Sequence, residues 1–165
     1  MMNVPQIEVS PCSVEHLPEL TELWAEYMID QGSDDPVLHL LDIESSKPGF
    51  AKLMESYMRK EPEGFLVAVK DGDVVGFVIS FRDAFGPNYV TRERIGHIQV
   101  VHTKRGCRRQ GVATNLIEAA EGYLRSSGCG FVLTEKGEPN TTARTLLEKT
   151  GFRVRGKLID YIKEL

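Results

Sequence analysis

Apolar residues recur at helical spacing in four parts of the chain, with polar residues between them. This pattern predicts four helices, which run from about Ser13 to Asp30, Ile43 to Lys60, Val112 to Ser127 and Thr141 to Lys149. Ser13 is a suitable N-cap for the first helix, whereas Pro48-Gly49 is expected to break the second helix near its start. Gly128 and Gly151 follow the last two helices, at positions where glycine commonly ends a helix.

Runs of β-branched and aromatic residues bounded by turn residues predict a set of strands. The predicted strands run from Pro5 to Ser10, Phe65 to Val69, Val74 to Phe81, Ile95 to about Thr103, Gly130 to Glu135, Phe152 to Arg155 and Leu158 to Lys163. Asp71-Gly72 marks a hairpin turn between the second and third strands. Gly76 lies inside the third strand and indicates a bulge or a close approach of two backbones.

The order of these elements is β-α-α-β-β-β-α-β-α-β-β, so a three-strand meander precedes a β-α-β unit. Consecutive strands of a meander pair antiparallel, whereas a helical crossover allows two strands to pair in parallel. The order therefore predicts an α/β sandwich, in which a mixed sheet lies between two layers of helices. The 165 residues suffice for one domain and are too few for two comfortable ones, so we expect a single domain over residues 1–165.

Composition and charge narrow the class of protein. Hydrophobic residues make up 41% of the chain and charged residues 27%, as in soluble globular proteins, and the net charge of −4 does not suggest a nucleic-acid partner. No targeting segment and no long apolar run is present, so we expect a cytoplasmic protein without a membrane partner. The three cysteines form no CxxC pair or Cys/His cluster, which argues against a zinc site. The Asp34-Asp35 pair is either solvated or attracts a cationic substrate.

The turn before the third helix is the first pattern with chemical meaning. It reads Arg108-Arg109-Gln110-Gly111-Val112-Ala113 and stands between a β-rich segment and an amphipathic helix. A helix N-terminus offers free backbone N–H groups, and arginines add positive charge, so this turn predicts a phosphate or pyrophosphate site. The turn lacks the GxxxxGK[ST] pattern of nucleotide hydrolases, and no GxGxxG follows the first strand. The alternative is a solvated basic turn.

A second segment downstream, from Asn140 to Phe152, makes the pattern specific. Together with the basic turn, its Asn140-x-x-Ala143, Leu146-Leu147 and Gly151-Phe152 resemble the cofactor-binding signature of the GNAT superfamily of N-acetyltransferases. The resemblance implies a three-layer α/β/α sandwich with a mixed, mostly antiparallel sheet. It also implies acetyl-CoA as the co-substrate, without a metal. The stretch from Gly96 to Ala113 further resembles the branch that acetylates protein N-termini.

The resemblance assigns residues to acetyl-CoA. The backbone of the strand from Val101 to Thr103 would pair with the pantetheine amides. The N–H groups of the turn would bind the pyrophosphate, and Arg108 would add a charge-assisted contact. Asn140 would contact the cofactor arm near the thioester, although it is also a good N-cap. The complete predicted set for the co-substrate is Val101, His102, Thr103, Arg108, Arg109, Gln110, Gly111, Val112, Ala113, Thr114, Asn140 and Ala143.

The resemblance also implies a direct attack of a neutral amine on the thioester, for which a base must take a proton from the amine. Glu135 is the first candidate for this base and His97 the second, although a histidine on an alternating strand is more often a core residue. The family usually places a tyrosine, the proton donor for the thiolate, at the position that Leu147 occupies here. Leucine cannot donate a proton, so the donor would be water, the departing ammonium or another side chain such as Tyr161.

Two functions fit these residues. The first is an N-acetyltransferase acting on a primary amine, which is a small molecule, a peptide N-terminus or a lysine. The second is an acetyl-CoA-binding regulatory module with little chemistry. The short final turn at Gly156-Lys157 favours a small amine, or a partner subunit that covers the site, so a homodimer is one expectation. Trp24 is expected to be a core residue rather than to stack on a ligand.

Overall fold

The computed structural model describes residues 6–33, 35–137 and 140–165. Its strands and α-helices are β1 (Glu8–Pro11), α1 (Leu17–Gly32), α2 (Ile43–Lys60), β2 (Phe65–Lys70), β3 (Asp73–Phe81), β4 (Arg94–Thr103), α3 (Val112–Ser126), β5 (Cys129–Leu133) and α4 (Thr141–Lys149). The first strand was predicted from Pro5, which lies outside the described residues, and β1 begins at Glu8. None of the helices in these ranges is both long and apolar enough to cross a lipid bilayer.

Contacts divide the chain into two compact units, one that ends at Glu135 and one that begins at Lys136. Over its described residues, the first unit is built on a five-stranded sheet with the strand order β1-β2-β3-β4-β5. Neighbouring strands pair antiparallel, except that β4 and β5 pair parallel and are connected through α3. The predicted mixed, mostly antiparallel sheet is therefore confirmed.

Helices pack against both faces of this sheet. On one face, Leu20 of α1 and Met54 of α2 join Phe77 of β3 in one buried cluster. Successive residues of a strand point to opposite faces, so Gly76 faces the other side, where its α-hydrogen lies against Leu116 of α3. Burying a side chain the size of leucine or phenylalanine stabilises the folded state by about 1.5–3 kcal/mol relative to leaving it exposed. These two apolar layers hold β4, and the turn that follows it, in a fixed position.

Backbone conformations confirm the predicted turns and helix ends. Asp71 and Gly72 have φ angles of 53° and 88°, which is the pair of left-handed residues that a type I′ hairpin turn requires. Gly128 and Gly151 have φ angles of 84° and 92°, as expected for glycines that end α3 and α4. The residue types at these four positions therefore suit the left-handed backbone that the turn and the two helix ends require.

The expected break at Pro48-Gly49 is wrong, because α2 runs without interruption through Pro48. Asp42 caps this helix by accepting a hydrogen bond from Ser45 N at 3.0 Å, and Phe50 and other apolar residues are buried further along it. Proline removes one backbone hydrogen bond from a helix. The Asp42 cap before Pro48 and the buried residues after it stabilise the helix by more than that loss.

The two strands predicted at the C-terminus, from Phe152 to Arg155 and from Leu158 to Lys163, are also absent. Residues 152–165 form no helix and no strand. A strand exists only when its backbone pairs with a neighbour, and here the alternating sequence has no such partner among the described residues. Six apolar side chains of this segment are exposed: Val154, Leu158, Ile159, Tyr161, Ile162 and Leu165.

Candidate functional site

The sheet opens where β4 separates from β5. The two strands pair from Arg94 to His97 on β4 and from Cys129 to Leu133 on β5, and pairing stops there. β4 continues to Thr103, and beyond His97 it is paired only with β3 among the described residues. Val101, His102 and Thr103, which the sequence assigned to the co-substrate, therefore lie on a free strand edge. Such an edge presents backbone N–H and C=O groups to an extended ligand.

A β-bulge lies at the start of this free edge. Ile98 pairs with Ser80, whereas Val100 pairs with Ile79, so Gln99 is an extra residue on β4. The bulge reverses the faces of the strand, because Gly96 faces α3 whereas Val100 joins the cluster under α1 and α2. Sequence reasoning missed the bulge. Its signal was the break in strict alternation, with apolar residues at positions 98, 100 and 101 around Gln99.

The turn that follows β4 has the backbone of an anion site. Arg109 and Gly111 both have left-handed φ angles, of 61° and 82°, and Gly111 is the N-cap of α3. The first α3 amide to bond within the chain is that of Asn115, which donates to Gly111 O at 3.0 Å. The N–H groups of Val112, Ala113 and Thr114 have no acceptor among the described residues. Together with the helix dipole they attract an anion.

The basic residues near this turn are held by α1. The Asp30 carboxylate binds both the Arg105 guanidinium and, at 2.6 Å, the Arg108 guanidinium. Burial would raise the pKa of Asp30, but hydrogen bonds and charges from the two arginines outweigh it and lower that pKa. Arg108 also donates from Nε to Thr103 O at 3.4 Å. Arg108 is therefore placed beside the free end of β4 before any ligand binds.

His102 is anchored by a neighbouring acid of the same helix. Its Nε2 lies 2.8 Å from Glu26 Oε1, and its side chain is 6% exposed. Burial lowers the pKa of His102, and the Glu26 carboxylate opposes that effect only in part. Glu26, Asp30 and His102 each bring one ligand atom within 4.8 Å of the others. Asp30 is already neutralised by two guanidinium groups, so the group is better suited to holding the turn than to holding a cation.

The two candidate bases lie at the mouth of the opening between β4 and β5. His97 is the last β4 residue paired with β5, opposite Leu133, and it also pairs with Phe81 of β3. Glu135 was predicted to end the strand, but β5 ends at Leu133, and Glu135 is an exposed residue two positions beyond it. The strand ends early because its only partner in the described residues, β4, diverges there. Both residues therefore lie where β4 and β5 separate.

A cavity of about 420 Å³ opens beside the bulge, between α1, α2 and the sheet. Gln99 and Val100 form its floor on the β4 side, and Trp24 and Tyr57 stand among its walls. Trp24 packs on the core cluster, as predicted, and part of its side chain also faces this cavity.

Comparison with known proteins identifies the family. Residues 17–152 match the model of the acetyltransferase (GNAT) family. The chain belongs to this family. A protein named as an uncharacterized N-acetyltransferase of Methanocaldococcus jannaschii is 31% identical to the GNAT chain over 104 residues, which span 62% of this chain and 61% of that relative. The match thus covers less than two thirds of the length of either protein.

Solved structures show the same GNAT fold at low sequence identity. The aminoglycoside N-acetyltransferase AAC(6')-Iy, in complex with CoA, gives a TM-score of 0.74 at 16% identity and covers 100% of this chain and 99% of its own. A transcriptional regulator from Bacillus halodurans C-125 gives a TM-score of 0.73 at 16% identity, over 96% of this chain and 100% of its own. The GNAT assignment confirms the three-layer α/β fold predicted from the sequence.

The unit that begins at Lys136 contains the second half of the GNAT signature. Asn140 Oδ1 accepts a hydrogen bond from Ala143 N at 3.0 Å, so Asn140 is the N-cap of α4. The backbone carbonyl of Leu147 accepts from Phe152 N at 2.9 Å and from Thr150 N at 3.1 Å, which closes the same helix at its other end. Leu147 offers no side-chain proton. As a GNAT protein, the chain therefore lacks the tyrosine that the family usually places there.

Proposed function

We propose that the protein is an N-acetyltransferase that moves an acetyl group from acetyl-CoA to a primary amine. The observation that carries this proposal is the continuity of the free β4 edge, from Gln99 to Thr103, with the anion site at Gly111. An extended strand edge suits the pantetheine arm, and a helix N-terminus suits the pyrophosphate. Membership of the GNAT family supports the same ligand.

The residues at the opening fit such a ligand on independent grounds. Among the described residues, the Thr103 Oγ1 and Thr134 Oγ1 atoms are buried and have no hydrogen-bond partner. Buried hydroxyl groups without a partner are costly and are commonly satisfied by water or a ligand. Thr103 ends β4 and Thr134 follows β5, so the two orphaned hydroxyl groups belong to the two strands that diverge. Polar amides of a pantetheine arm would supply partners there.

The chemistry we propose is a direct transfer. When bound, acetyl-CoA supplies an acetyl group activated as a thioester. The amine nitrogen bonds to the acetyl carbon, the bond from that carbon to sulfur breaks, and the sulfur leaves as the CoA thiol. The Glu135 carboxylate takes the proton that the amine loses, directly or through water, and His97 is the alternative base. The proton for the sulfur comes from water, from the ammonium that forms as the amine attacks, or from a side chain such as Tyr161, because Leu147 cannot supply it.

A regulatory acetyl-CoA-binding module is the second candidate function. Leu147 favours it, because a site without the usual proton donor binds the same ligand but turns it over slowly. One structural neighbour is named as a transcriptional regulator, which is compatible with a binding role for this fold. Both functions require the same free edge and anion site, so they differ only in turnover.

We propose one acetyltransferase domain over residues 1–165, a cytoplasmic location and no nucleic-acid partner. We also propose that the protein forms a homodimer, because the apolar residues exposed after Phe152 are typical of a surface that another chain covers. The acceptor is a small amine or the amine of a peptide. Small-molecule acceptors are supported by the fold neighbours that act on aminoglycosides.

The test measures thiol release from acetyl-CoA with a broad panel of amines and peptides, alongside CoA binding by calorimetry. We expect amine-dependent thiol release. In Glu135→Gln, the release rate should fall by about 10²- to 10⁴-fold and its pH profile should change, because a general base contributes a factor of this size. Glu118→Gln, an exposed glutamate on α3, is the control and should retain the full rate.

Two outcomes would contradict parts of this proposal. Tight CoA binding without release by any acceptor would favour the regulatory module. An unchanged pH profile in Glu135→Gln would remove Glu135 from the role of base and leave His97 to be tested by His97→Gln.

A further inference from the structure

The cavity beside the β4 bulge has the chemistry of a site for an apolar molecule. Its walls include the aromatic side chains of Trp24, Tyr27, Phe50 and Tyr57, and the aliphatic side chain of Leu53. None of the residues that line it is charged. A volume of about 420 Å³ is at the small end of the range for small-molecule sites.

Several aromatic rings of the cavity wall contact other rings. The Trp24 and Phe50 rings stack with centroids 4.2 Å apart, and the Tyr57 ring meets Phe81 edge to face at 5.0 Å. Stacked and edge-to-face contacts of this kind stabilise aromatic pairs beyond their area burial and therefore favour these ring positions. A preformed apolar wall favours ligands with a flat or branched hydrocarbon body, because little side-chain freedom is lost on binding.

Several acidic groups that lie near the cavity in the sequence are already paired. Glu22 and Glu44 both bind the Lys47 ammonium, at 3.0 Å and 2.9 Å. Glu26 binds His102, and Asp30 binds two arginines. Asp35 Oδ1 accepts from Val37 N and Leu38 N, whereas Asp34, the other member of the predicted acidic pair, lies outside the described residues. No carboxylate is among the lining residues, so a polycationic acceptor would find no opposite charge in this cavity.

The position of the cavity connects it to the proposed reaction. Gln99 and Val100 line it, and the same two residues begin the free edge of β4 on which the proposed function places the pantetheine arm. An amine whose body fills the cavity would present its nitrogen to that edge. Apolar surroundings lower the pKa of an ammonium group, which increases the fraction of the neutral amine that attacks.

We infer that the acceptor is a primary amine carried on an aromatic or branched aliphatic body, which binds in this cavity. The inference rests on the proposed function for the transfer step, but the binding of the apolar body is independent of turnover. Two sources share this chemistry: a free arylalkylamine and the N-terminal residue of a peptide that begins with an apolar side chain.

Trp24 makes the binding step directly measurable. It is the only tryptophan of the chain and it lines the cavity. Titrating the full-length protein with 2-phenylethylamine should give a saturable change in tryptophan fluorescence. Spermidine and the aminoglycoside sisomicin, at the same concentrations, should give none. Fluorescence that does not saturate with 2-phenylethylamine, or that responds equally to spermidine, would overturn the inference whether or not the protein is an enzyme.

Turnover gives the second readout. The kcat/KM for 2-phenylethylamine should exceed that for spermidine by at least about tenfold, because an apolar cavity without acids discriminates against charge. A peptide with an N-terminal phenylalanine, compared with the same peptide starting with lysine, shows which of the two sources is used. Faster acetylation of polycations than of apolar amines would contradict the inference while supporting the proposed function. Saturable binding of 2-phenylethylamine without any turnover would support the apolar binding site and contradict the proposed function.

A matched pair of variants tests the location. Leu53→Glu puts a charge at a cavity-lining residue whose side chain is already 46% exposed, so folding should survive. It should lower kcat/KM for 2-phenylethylamine, and weaken its fluorescence titration, by at least about tenfold. Leu40→Glu makes the same change at an 82% exposed leucine that does not line the cavity, and should leave both unchanged. Equal effects in the two variants, with the same melting temperature, would remove the cavity from the proposal.

Discussion

At the residue scale, His102 shows how a single side chain can link two distant parts of the chain. Its Nε2 atom and Glu26 Oε1 lie 2.8 Å apart, although the two residues are separated by 76 positions. A neutral imidazole donates its N–H to the carboxylate at this distance, and burial favours the neutral form by lowering the pKa of His102. Glu26 Oε1 also accepts from Arg105 N at 3.0 Å. One carboxylate thus holds both the strand and the turn that follows it.

This arrangement predicts a specific loss of stability in mild acid. The pKa of His102 is lower in the folded protein than its ordinary value of 6.5, so the unfolded chain binds the proton more readily. The contribution of neutral His102 to the free energy of unfolding is therefore complete above about pH 6.5. It is lost as the pH falls towards the pKa of His102 in the folded protein, and the free energy of unfolding then falls by at most about 1.4 kcal/mol per pH unit.

Urea unfolding at several values between about pH 5 and pH 7.5 measures this contribution. His102→Gln should flatten the dependence of the unfolding free energy on pH in this range. His39→Gln removes an exposed histidine instead and should retain the wild-type slope. Parallel curves for wild type and His102→Gln would show that another group is responsible.

Several residues of the candidate site could be predicted from the sequence, but their partners could not. Gly111 was predicted from the turn pattern, and its φ of 82° gives a reason for glycine that is independent of any ligand. Asn140 was predicted as an N-cap, and its side chain has that contact. The carboxylate of Asp30, in contrast, reaches Arg105 and Arg108 only because α1 packs over the end of β4. No local pattern records such a pair.

At the scale of elements, β3, β4 and α3 pack closely beside the site. A Cβ at Gly76 would lie 2.7 Å from His102 O and 2.9 Å from Val112 Cγ1. The sequence predicted a bulge or a close approach at Gly76, and both occur, since the pairing of β2 with β3 shifts between Ala68 and Val69. A side chain at Gly76 would push the free edge of β4 away from the N-terminus of α3.

The same glycine-to-alanine change should therefore have opposite effects at two positions. Gly76→Ala should lower the free energy of unfolding by about 1–3 kcal/mol, because the new methyl group clashes with backbone as well as side chains. Gly122→Ala, inside α3 with nothing within 4 Å of its added Cβ, should raise it by about 0.5–1 kcal/mol. Urea midpoints at constant m-value provide the measurement. Two stabilising substitutions would mean that the packing at Gly76 relaxes at little cost.

Elements with strong local signals were predicted well, and those fixed by pairing were not. The range of α2 was predicted from its periodicity, whereas its continuity through Pro48 depends on the Asp42 cap and on the buried residues Phe50 and Met54 that follow the proline. The bulge at Gln99 changes the face of every later residue of β4, yet it adds only one position to an otherwise ordinary strand. The length of β5 is set by where β4 diverges from it.

At the scale of the whole molecule, the C-terminal segment is the part where sequence and structure differ most. Residues 152–165 alternate as a strand pair would, yet they form no strand, and Leu158 and Ile162 are exposed. Periodicity predicts which residues suit a strand but does not provide the partner. Large apolar side chains that stay exposed are typical of surfaces that another chain covers.

The proposed homodimer gives this segment a test. Wild-type protein should have twice the 18.5 kDa mass of one chain by light scattering. Ile162→Asp should reduce the mass to that of one chain, because a carboxylate cannot be buried in an apolar contact without a partner. Val90→Asp, at an exposed apolar residue of the loop between β3 and β4, is the control and should stay dimeric. A single-chain mass for the wild type would end the dimer proposal.

Helix α1 supplies residues both to the cavity and to the contacts that hold the turn after β4. Trp24 and Tyr27 on this helix line the cavity, whereas Glu26 and Asp30 hold the strand end and the arginines of the turn. In the proposed function, a shift of this helix on filling of the cavity would also move the groups that hold the turn. Thermodynamic linkage then requires reciprocity: the factor by which the acceptor changes CoA affinity is the factor by which CoA changes acceptor affinity. Helix α1 is the element through which the proposed acceptor site and the proposed CoA site would be coupled.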